Sequence, residues 1–179
     1  NRLEKLDKIR QLGVNPYPYD FNLTHSTSEI EKKHIDKEVS VAGRVMSLRK
    51  MGKAAFANIQ DEKGRIQLYI ARDDVGEDNY ALFKLVDIGD FIGIDGKVFV
   101  TKTDALTVKA SKVTILSKNL RPIPDVKEKD GEKFNSVSDK ELRYRKRYLD
   151  MIINPETKDN YITRFKMINS IREFLNKNG

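Results

Sequence analysis

Val39–Ala71 reads VSVAGRVMSLRKMGKAAFANIQDEKGRIQLYIA and crowds three β-type runs together: Val39–Val45, Ala54–Ile59 and Arg65–Ala71. Val39, Val41 and Val45 sit at alternating positions, and Ile66, Leu68 and Ile70 alternate in the third run. That period of two marks a strand with one buried face. Asp61-Glu-Lys-Gly64 reads as a hairpin turn in which Gly64 supplies a positive φ. The join between the first two runs is basic and free of acid (Arg44, Arg49, Lys50, Lys53), and Phe56 and Gln67 follow in the next two runs. Cations track phosphates, aromatic rings stack on bases, and an amide both donates to and accepts from a base edge. On adjacent strands of a small sheet, this combination points to single-stranded nucleic acid.

Outward from this stretch, Asn79–Val86 reads as a short helix, and Phe91–Val100 and Thr107–Leu116 as two further strands. Gly93 and Gly96 fall where a barrel strand bends tightly. Five strands with a helix between the third and fourth is the order of an oligonucleotide/oligosaccharide-binding (OB) barrel; another small antiparallel barrel or meander is the alternative. On the N-terminal side, Leu3, Leu6, Ile9 and Leu12 recur at helical spacing before Gly13, giving an amphipathic helix over Arg2–Leu12. Asn15-Pro-Tyr-Pro-Tyr19 forces an extended path. Ser28 and Glu31 have capping-box spacing, so Ser28–His34 reads as a second short helix.

On the C-terminal side, Leu120–Asn135 is a polar, proline-punctuated linker. A second capping box, Ser138-Asp-Lys-Glu141, opens a helix over Asp139–Met151. Asn154 then caps, Pro155 takes the first helical position, and a helix runs to about Lys177 with Tyr161, Phe165, Ile168, Ile171 and Leu175 on one face. The chain offers that face no partner, as in a fragment cut at the start of another domain. The expected organisation is mainly β with flanking α: a helical extension at 1–37, the barrel at 38–118, a linker at 119–137 and a helical segment at 138–179.

Composition narrows the function classes. The 179 residues carry 34 Lys and Arg against 27 Asp and Glu, a net charge of +7, which favours an anionic partner. With no cysteine there is no disulfide framework, thiolate nucleophile or cysteine metal site, and His25 and His34 in a polar segment make a poor metal pair. No apolar run approaches the roughly 18–20 residues that span a bilayer, and the charged start NRLEKLDKIRQLG is no secretory signal. The expectation is a cytoplasmic protein with no membrane partner. Catalysis leaves no trace: there is no Ser/His/Asp set, histidine cluster or phosphate loop, and Gly89, Gly93 and Gly96 do not match G-x-G-x-x-G.

Each nucleic-acid feature also has an ordinary reading. Arg44, Arg49, Lys50 and Lys53 either pair with phosphates or are solvated charges. Phe56 either stacks on a base or fills the barrel core. Gln67 either reads a base or is an exposed strand residue; with Tyr69 it faces away from the Ile66, Leu68, Ile70 side. Arg143-Tyr-Arg-Lys-Arg147 either touches RNA or pins its helix to an acidic surface.

Met51-Gly-Lys-Ala-Ala-Phe56, Arg65-Ile-Gln-Leu-Tyr-Ile-Ala-Arg-Asp-Asp74, Lys102-Thr103, Leu120-Arg-Pro-Ile-Pro-Asp125 and Arg143-Tyr-Arg-Lys-Arg-Tyr-Leu-Asp150 occur in that order. In sequence, order and spacing they resemble the N-terminal part of bacterial-type class II lysyl-tRNA synthetases. The resemblance covers essentially the whole chain. Aspartyl- and asparaginyl-tRNA synthetases share the barrel and the Arg-Tyr-Leu-Asp element, but not the Met-Gly-Lys-Ala-x-Phe loop. What the resemblance implies is an anticodon-binding barrel leading into an α+β catalytic domain that activates lysine with ATP and Mg2+ and transfers it to tRNA(Lys). It implies that Phe56 stacks on the central anticodon uridine and that Gln67 and Arg49 contact that nucleotide; Arg44 and Lys53, further cations of the join, are expected at the same anticodon-loop site by their charge.

The resemblance further implies a homodimer, with Arg164–Gly179 matching the helix that begins the family's first class-defining motif. The later motifs that bind ATP and lysine lie outside the sequence, so this segment is expected to need no cofactor and to be inactive alone. The family usually has Gly-Glu after Lys-Thr, and here Asp104 and Ala105 stand instead. That leaves a second reading, an OB module of a synthetase paralogue without ligase activity.

Overall fold

Alternation sets the wall of a barrel in the computed structural model, which describes residues 1–124, 126–129, 132–135 and 140–179. Five strands, β1 (Glu38–Met51), β2 (Ala54–Gln60), β3 (Arg65–Ala71), β4 (Phe91–Val100) and β5 (Leu106–Ser117), close in the order β1-β2-β3-β5-β4. Ala55, Ala57 and Ile59 on β2, and Ile66, Leu68 and Ile70 on β3, point into the core. There they meet Val39, Val41 and Val45 of β1, Ile92, Ile94 and Val98 of β4, and Val108 and Ile115 of β5. Each Leu, Ile or Val so buried contributes about 1.5–3 kcal/mol relative to exposure. Closure comes from a parallel pairing of β3 with β5, in register Gln67↔Thr107, Leu68↔Val108 and Tyr69↔Lys109.

β1 is longer than the run Val39–Val45. Its first half pairs with β4 and its second half, through Met51, pairs with β2. Arg49 and Lys50 therefore lie on a strand and not in the expected basic loop, which shrinks to the turn around Gly52 and Lys53. A register shift between Val45 and Ser47 leaves Met46 as an extra residue. Before it Val39, Val41 and Val45 face inward; after it Leu48, opposite Ala57, packs against the core, and Arg49, opposite Phe56, faces out. A bulge thus reverses which residues of β1 look outward.

Two glycines of β4 answer to close approach. A Cβ on Gly96 would lie 2.1 Å from the Lys109 carbonyl oxygen, beside a second register shift, and one on Gly93 would meet the Phe21 ring at 2.6 Å. Gly64 corrects the sequence reading: it is not among the glycines with positive φ. Asp61 builds that turn, its Oδ1 accepting from the Lys63 and Gly64 amides, each at 2.8 Å. A Cβ at Gly64 would sit 3.1 Å from Thr27 Oγ1, a tight contact that Thr27 would have to yield slightly to admit.

Helix α1 (Arg2–Gln11) lies much as predicted, with Asn1 as its cap, Leu6 and Ile9 buried, and Gly13 at φ 74° just beyond its end. Polar contacts seat it on the barrel. Arg2 donates to the carbonyls of Asn119 and Ile88, each at 2.9 Å, and Lys5 pairs with Asp87 at 2.5 Å. Beneath it the buried Lys118 ammonium donates to Asp87 and Asp90, each at 2.6 Å, and to the Leu85 carbonyl at 2.9 Å. The predicted helix Ser28–His34 is instead two 3₁₀ turns, Thr27–Glu29 and Lys32–His34. Ile30 breaks it by turning into the core with extended backbone, and Glu29 reaches the Ser26 amide two residues earlier than expected. Between β3 and β4 stand α2 (Arg72–Val75) and α3 (Glu77–Lys84), which plugs the barrel with Tyr80, Leu82 and Phe83.

The chain divides into two compact units, 1–122 and 123–179. In the second, a hairpin of β6 (Val126–Lys129) and β7 (Glu132–Asn135) occupies the segment read as linker. Ser138, on which the second capping box turns, lies outside the described residues. The predicted helix Asp139–Met151 is split into α4 (Lys140–Arg145) and α5 (Arg147–Ile153) at Lys146, whose φ of −118° and ψ of 54° are not helical. α6 runs from Pro155 to Asn178 behind Asn154, with no buried residue.

Candidate nucleic-acid interface

The outer face of β1, β2 and β3 carries two rows of side chains across the strands. One runs Arg49–Phe56–Tyr69, the other Ser47–Asn58–Gln67–Thr107. Cross-strand partners share a face and lie about 4.5–5.5 Å apart, so each row is contiguous. Phe99 joins from β4, opposite Thr107, and the turn residues Thr101, Lys102 and Thr103 close one side. Together they line an open hollow of about 770 Å3.

The floor is aromatic. Phe56 and Tyr69 have ring centroids 5.1 Å apart, and Tyr69 meets Phe99 edge-on at 6.1 Å. The Phe56 side chain is half-buried on the outside, between the inward-facing Ala55 and Ala57. The polar row is internally bonded: Asn58 donates to Ser47 Oγ at 2.8 Å, and the Thr107 hydroxyl donates to Gln67 Oε1 at 2.8 Å. Arg49 and Lys102 bring positive charge, and among the described residues no carboxylate lines the hollow. Such a surface accepts flat, electron-rich rings with an anionic backbone at their edge.

Three of the five sequence-selected residues, Arg49, Phe56 and Gln67, meet in this hollow, and two do not. Arg44 lies further back on β1, its guanidinium 4.3 Å over the Phe91 ring and its Nη1 donating to the Gly89 carbonyl at 3.3 Å. Partial burial lowers its pKa. Lys53 is exposed in the β1–β2 turn, its carbonyl accepting from the Arg72 amide at 2.9 Å. Lys50 is directed to the far end of α3, where its ammonium donates to the carbonyls of Lys84 at 2.9 Å and Val86 at 3.3 Å. Burial, then the neighbouring Lys5, lower its pKa.

The sequence places Tyr69 outward without giving it a role, and it does not single out Asn58, Phe99 or Thr107. The strand alternation contained the signal for Asn58, which is two residues from Phe56. Phe99 and Thr107 had none, because their place depends on closure of the barrel. Asp104, standing where the resembled family has glycine, adopts φ 58°, a conformation aspartate tolerates better than most residues. Its carboxylate is exposed near Lys32, at 3.9 Å, and is not part of the hollow.

Among the described residues no three His, Cys, Asp or Glu gather as a metal site, and no helix is long and apolar enough to cross a membrane. The hollow, lined by Arg49 and Lys102, does not suit Mg2+.

A closed five-stranded barrel with aromatic, amide and cationic side chains on one outer face is the architecture of nucleic-acid-binding OB domains. Residues 39–116 match the family described as OB-fold nucleic acid binding domain. Over 99% of its length the chain is also similar to proteins named lysine–tRNA ligase. It is 45% identical to that of Moorella thermoacetica over 181 residues, covering 36% of that protein. It is 46% identical to that of Thermoanaerobacter pseudethanolicus over 182 residues, covering 35%. It is 42% identical to that of Lactococcus lactis subsp. lactis over 188 residues, covering 37%. The chain thus spans a little over a third of the length of the curated relatives it matches.

Proposed function

We propose that this chain is the anticodon-binding region of a lysine–tRNA ligase, and that the hollow over Phe56, Tyr69 and Gln67 holds unpaired anticodon nucleotides. The observation that carries the proposal is the juxtaposition of Arg49, Phe56 and Gln67 on one outer face, in a chain similar along nearly all its length to proteins of that name. Phe56 supplies stacking that is indifferent to base identity, worth about 1–3 kcal/mol per base. Gln67 supplies choice, since one amide can meet the N3–H donor and a carbonyl acceptor of uracil together. Arg49 lies within the hollow and meets phosphate, while Lys53 at the exposed turn is available to the flanking backbone. Arg44 is engaged by Phe91 and Gly89 and acts on the fold.

The whole protein, on this reading, joins lysine to tRNA(Lys) at the expense of ATP with Mg2+, using a catalytic region beyond these residues. It works in the cytoplasm as a homodimer.

Binding of an anticodon stem-loop RNA tests the core of the proposal. Phe56→Ala weakens binding about ten- to a hundredfold. Gln67→Ala chiefly reduces preference for a uridine-centred over a cytidine-centred loop. A folded Phe56→Ala protein with undiminished affinity would remove Phe56 from the site. Asp104 and Ala105 favour a second reading, a paralogue that keeps the module without ligase activity, because neither places a carboxylate in the hollow. Aminoacylation of tRNA(Lys) by the full-length protein separates the two.

A further inference from the structure

We infer that Thr107 is a positioning residue: its hydroxyl fixes which way round the Gln67 amide meets a base. This rests on the reading of the hollow as a base-binding site. Thr107 is fully buried, although it belongs to the outer row and stands opposite Gln67 in the parallel pairing that closes the barrel. A buried hydroxyl is retained where its proton has a taker.

Two takers are in reach: Gln67 Oε1 at 2.8 Å and the Ala105 carbonyl at 3.1 Å. A hydroxyl has one proton and can give it to only one of them. The Ala105 carbonyl already accepts the Thr101 amide at 3.0 Å and has the Thr101 hydroxyl at 3.3 Å. The nearer and less crowded acceptor is Gln67. One lone pair of its Oε1 is thereby taken by Thr107, which fixes the amide, while the second lone pair and the NH2 group stay available to a base.

The orientation has a consequence for base choice. A carboxamide whose oxygen faces position 3 of a pyrimidine accepts N3–H from uracil but opposes the N3 lone pair of cytosine. Reversed, it would donate to N3 of cytosine. A free amide turns over to suit either base. Here turning over exchanges the 2.8 Å bond for a donation from the Gln67 NH2 group to the Thr107 oxygen, and so pushes the Thr107 proton onto a carbonyl that is already occupied. Thr107 thus converts an adaptable side chain into a selective one without touching the RNA.

The test compares Thr107→Val and Thr107→Ser with the unaltered chain in binding anticodon stem-loops that differ only in a central uridine or cytidine. Valine keeps the shape and removes the proton; serine keeps the proton. Thr107→Val is expected to lower the uridine-to-cytidine preference about three- to tenfold, the weight of one hydrogen bond, mostly by strengthening cytidine binding. Thr107→Ser is expected to restore the preference. Circular dichroism melting confirms that each variant is folded at the temperature of measurement. A Thr107→Val protein with unchanged preference, while Gln67→Ala loses it, overturns the role of Thr107 alone. If Gln67→Ala also leaves the preference unchanged, the reading of the hollow falls with it. A preference lost equally in the serine and valine variants assigns Thr107 to packing and overturns the inference.

Discussion

Arg44 and Arg49 show how little residue type alone decides. Both are cations on β1, and either suits a phosphate. Arg49 faces outward beside Phe56, whereas Arg44 covers Phe91 and bonds the Gly89 carbonyl. Their variants are expected to part company. Arg49→Ala lowers affinity for every stem-loop and flattens the log–log salt dependence by about 0.7, the effect of leaving one phosphate of a single strand without its cation. Arg44→Ala leaves affinity and slope unchanged and costs about 1 kcal/mol of stability, because the cation no longer covers the ring or bonds the carbonyl. Binding across a salt series together with urea unfolding checks both, and equal salt slopes in the two variants contradict the assignment. Phe56 teaches the same lesson. Its sequence neighbourhood left core and surface open, and only its place between two inward alanines decided for the surface.

At the scale of elements, the β2–β3 turn illustrates a correct boundary with a different cause. The Asp61-Glu-Lys-Gly64 pattern marked the turn, but the Asp61 carboxylate holds it together, and Thr27 joins from outside through its amide and hydroxyl, each at 2.7 Å. Burial raises the Asp61 pKa, yet hydrogen bonds from Thr27, Gly64 and Lys63 outweigh it and hold the group below its ordinary 3.8. A carboxyl whose folded pKa is depressed adds stability that is present above the unfolded value and lost as pH falls toward the folded one. The melting temperature is therefore expected to drop below about pH 4, and Asp61→Asn to melt lower at neutral pH with a shallower acid dependence. Calorimetric scans from about pH 7 to about pH 2.5 measure this; parallel acid profiles for the two proteins would show that Asp61 carries none of it. The 3₁₀ turns at Thr27–Glu29 and Lys32–His34 differ from the single helix predicted for a comparable reason. Burial of Ile30 outweighs a local capping preference worth about 1 kcal/mol.

At the scale of the whole molecule, the apolar side of α6 stands open among the described residues. Phe165, Met167, Ile171, Phe174 and Leu175 are each more than half exposed, an arrangement that marks an interaction surface. On the proposed function this face lies at a two-fold interface of the longer protein. Ile171→Asp in the full-length protein is expected to shift sedimentation from dimer toward monomer without altering binding of a stem-loop to the barrel. A wild-type protein that sediments as a strict monomer contradicts the dimer.

The sequence by itself determined the succession of five strands along the chain, the presence of helix between the third and fourth, the inward face of β3, and the chemistry available at the site. Those follow from local rules, because period, turn chemistry and residue type act over a few neighbours. The tertiary structure alone decided which side chains meet. The extra residue at Met46 reversed the facing of β1 and brought Arg49 beside Phe56. The parallel pairing of β3 with β5 placed Thr107 against Gln67, forty positions away. Barrel closure also buried Lys118 with Asp90, two charges that nothing in their local sequence marks as partners. A bulge, a register and a closure are properties of paired strands, and no single strand carries them in its own residues.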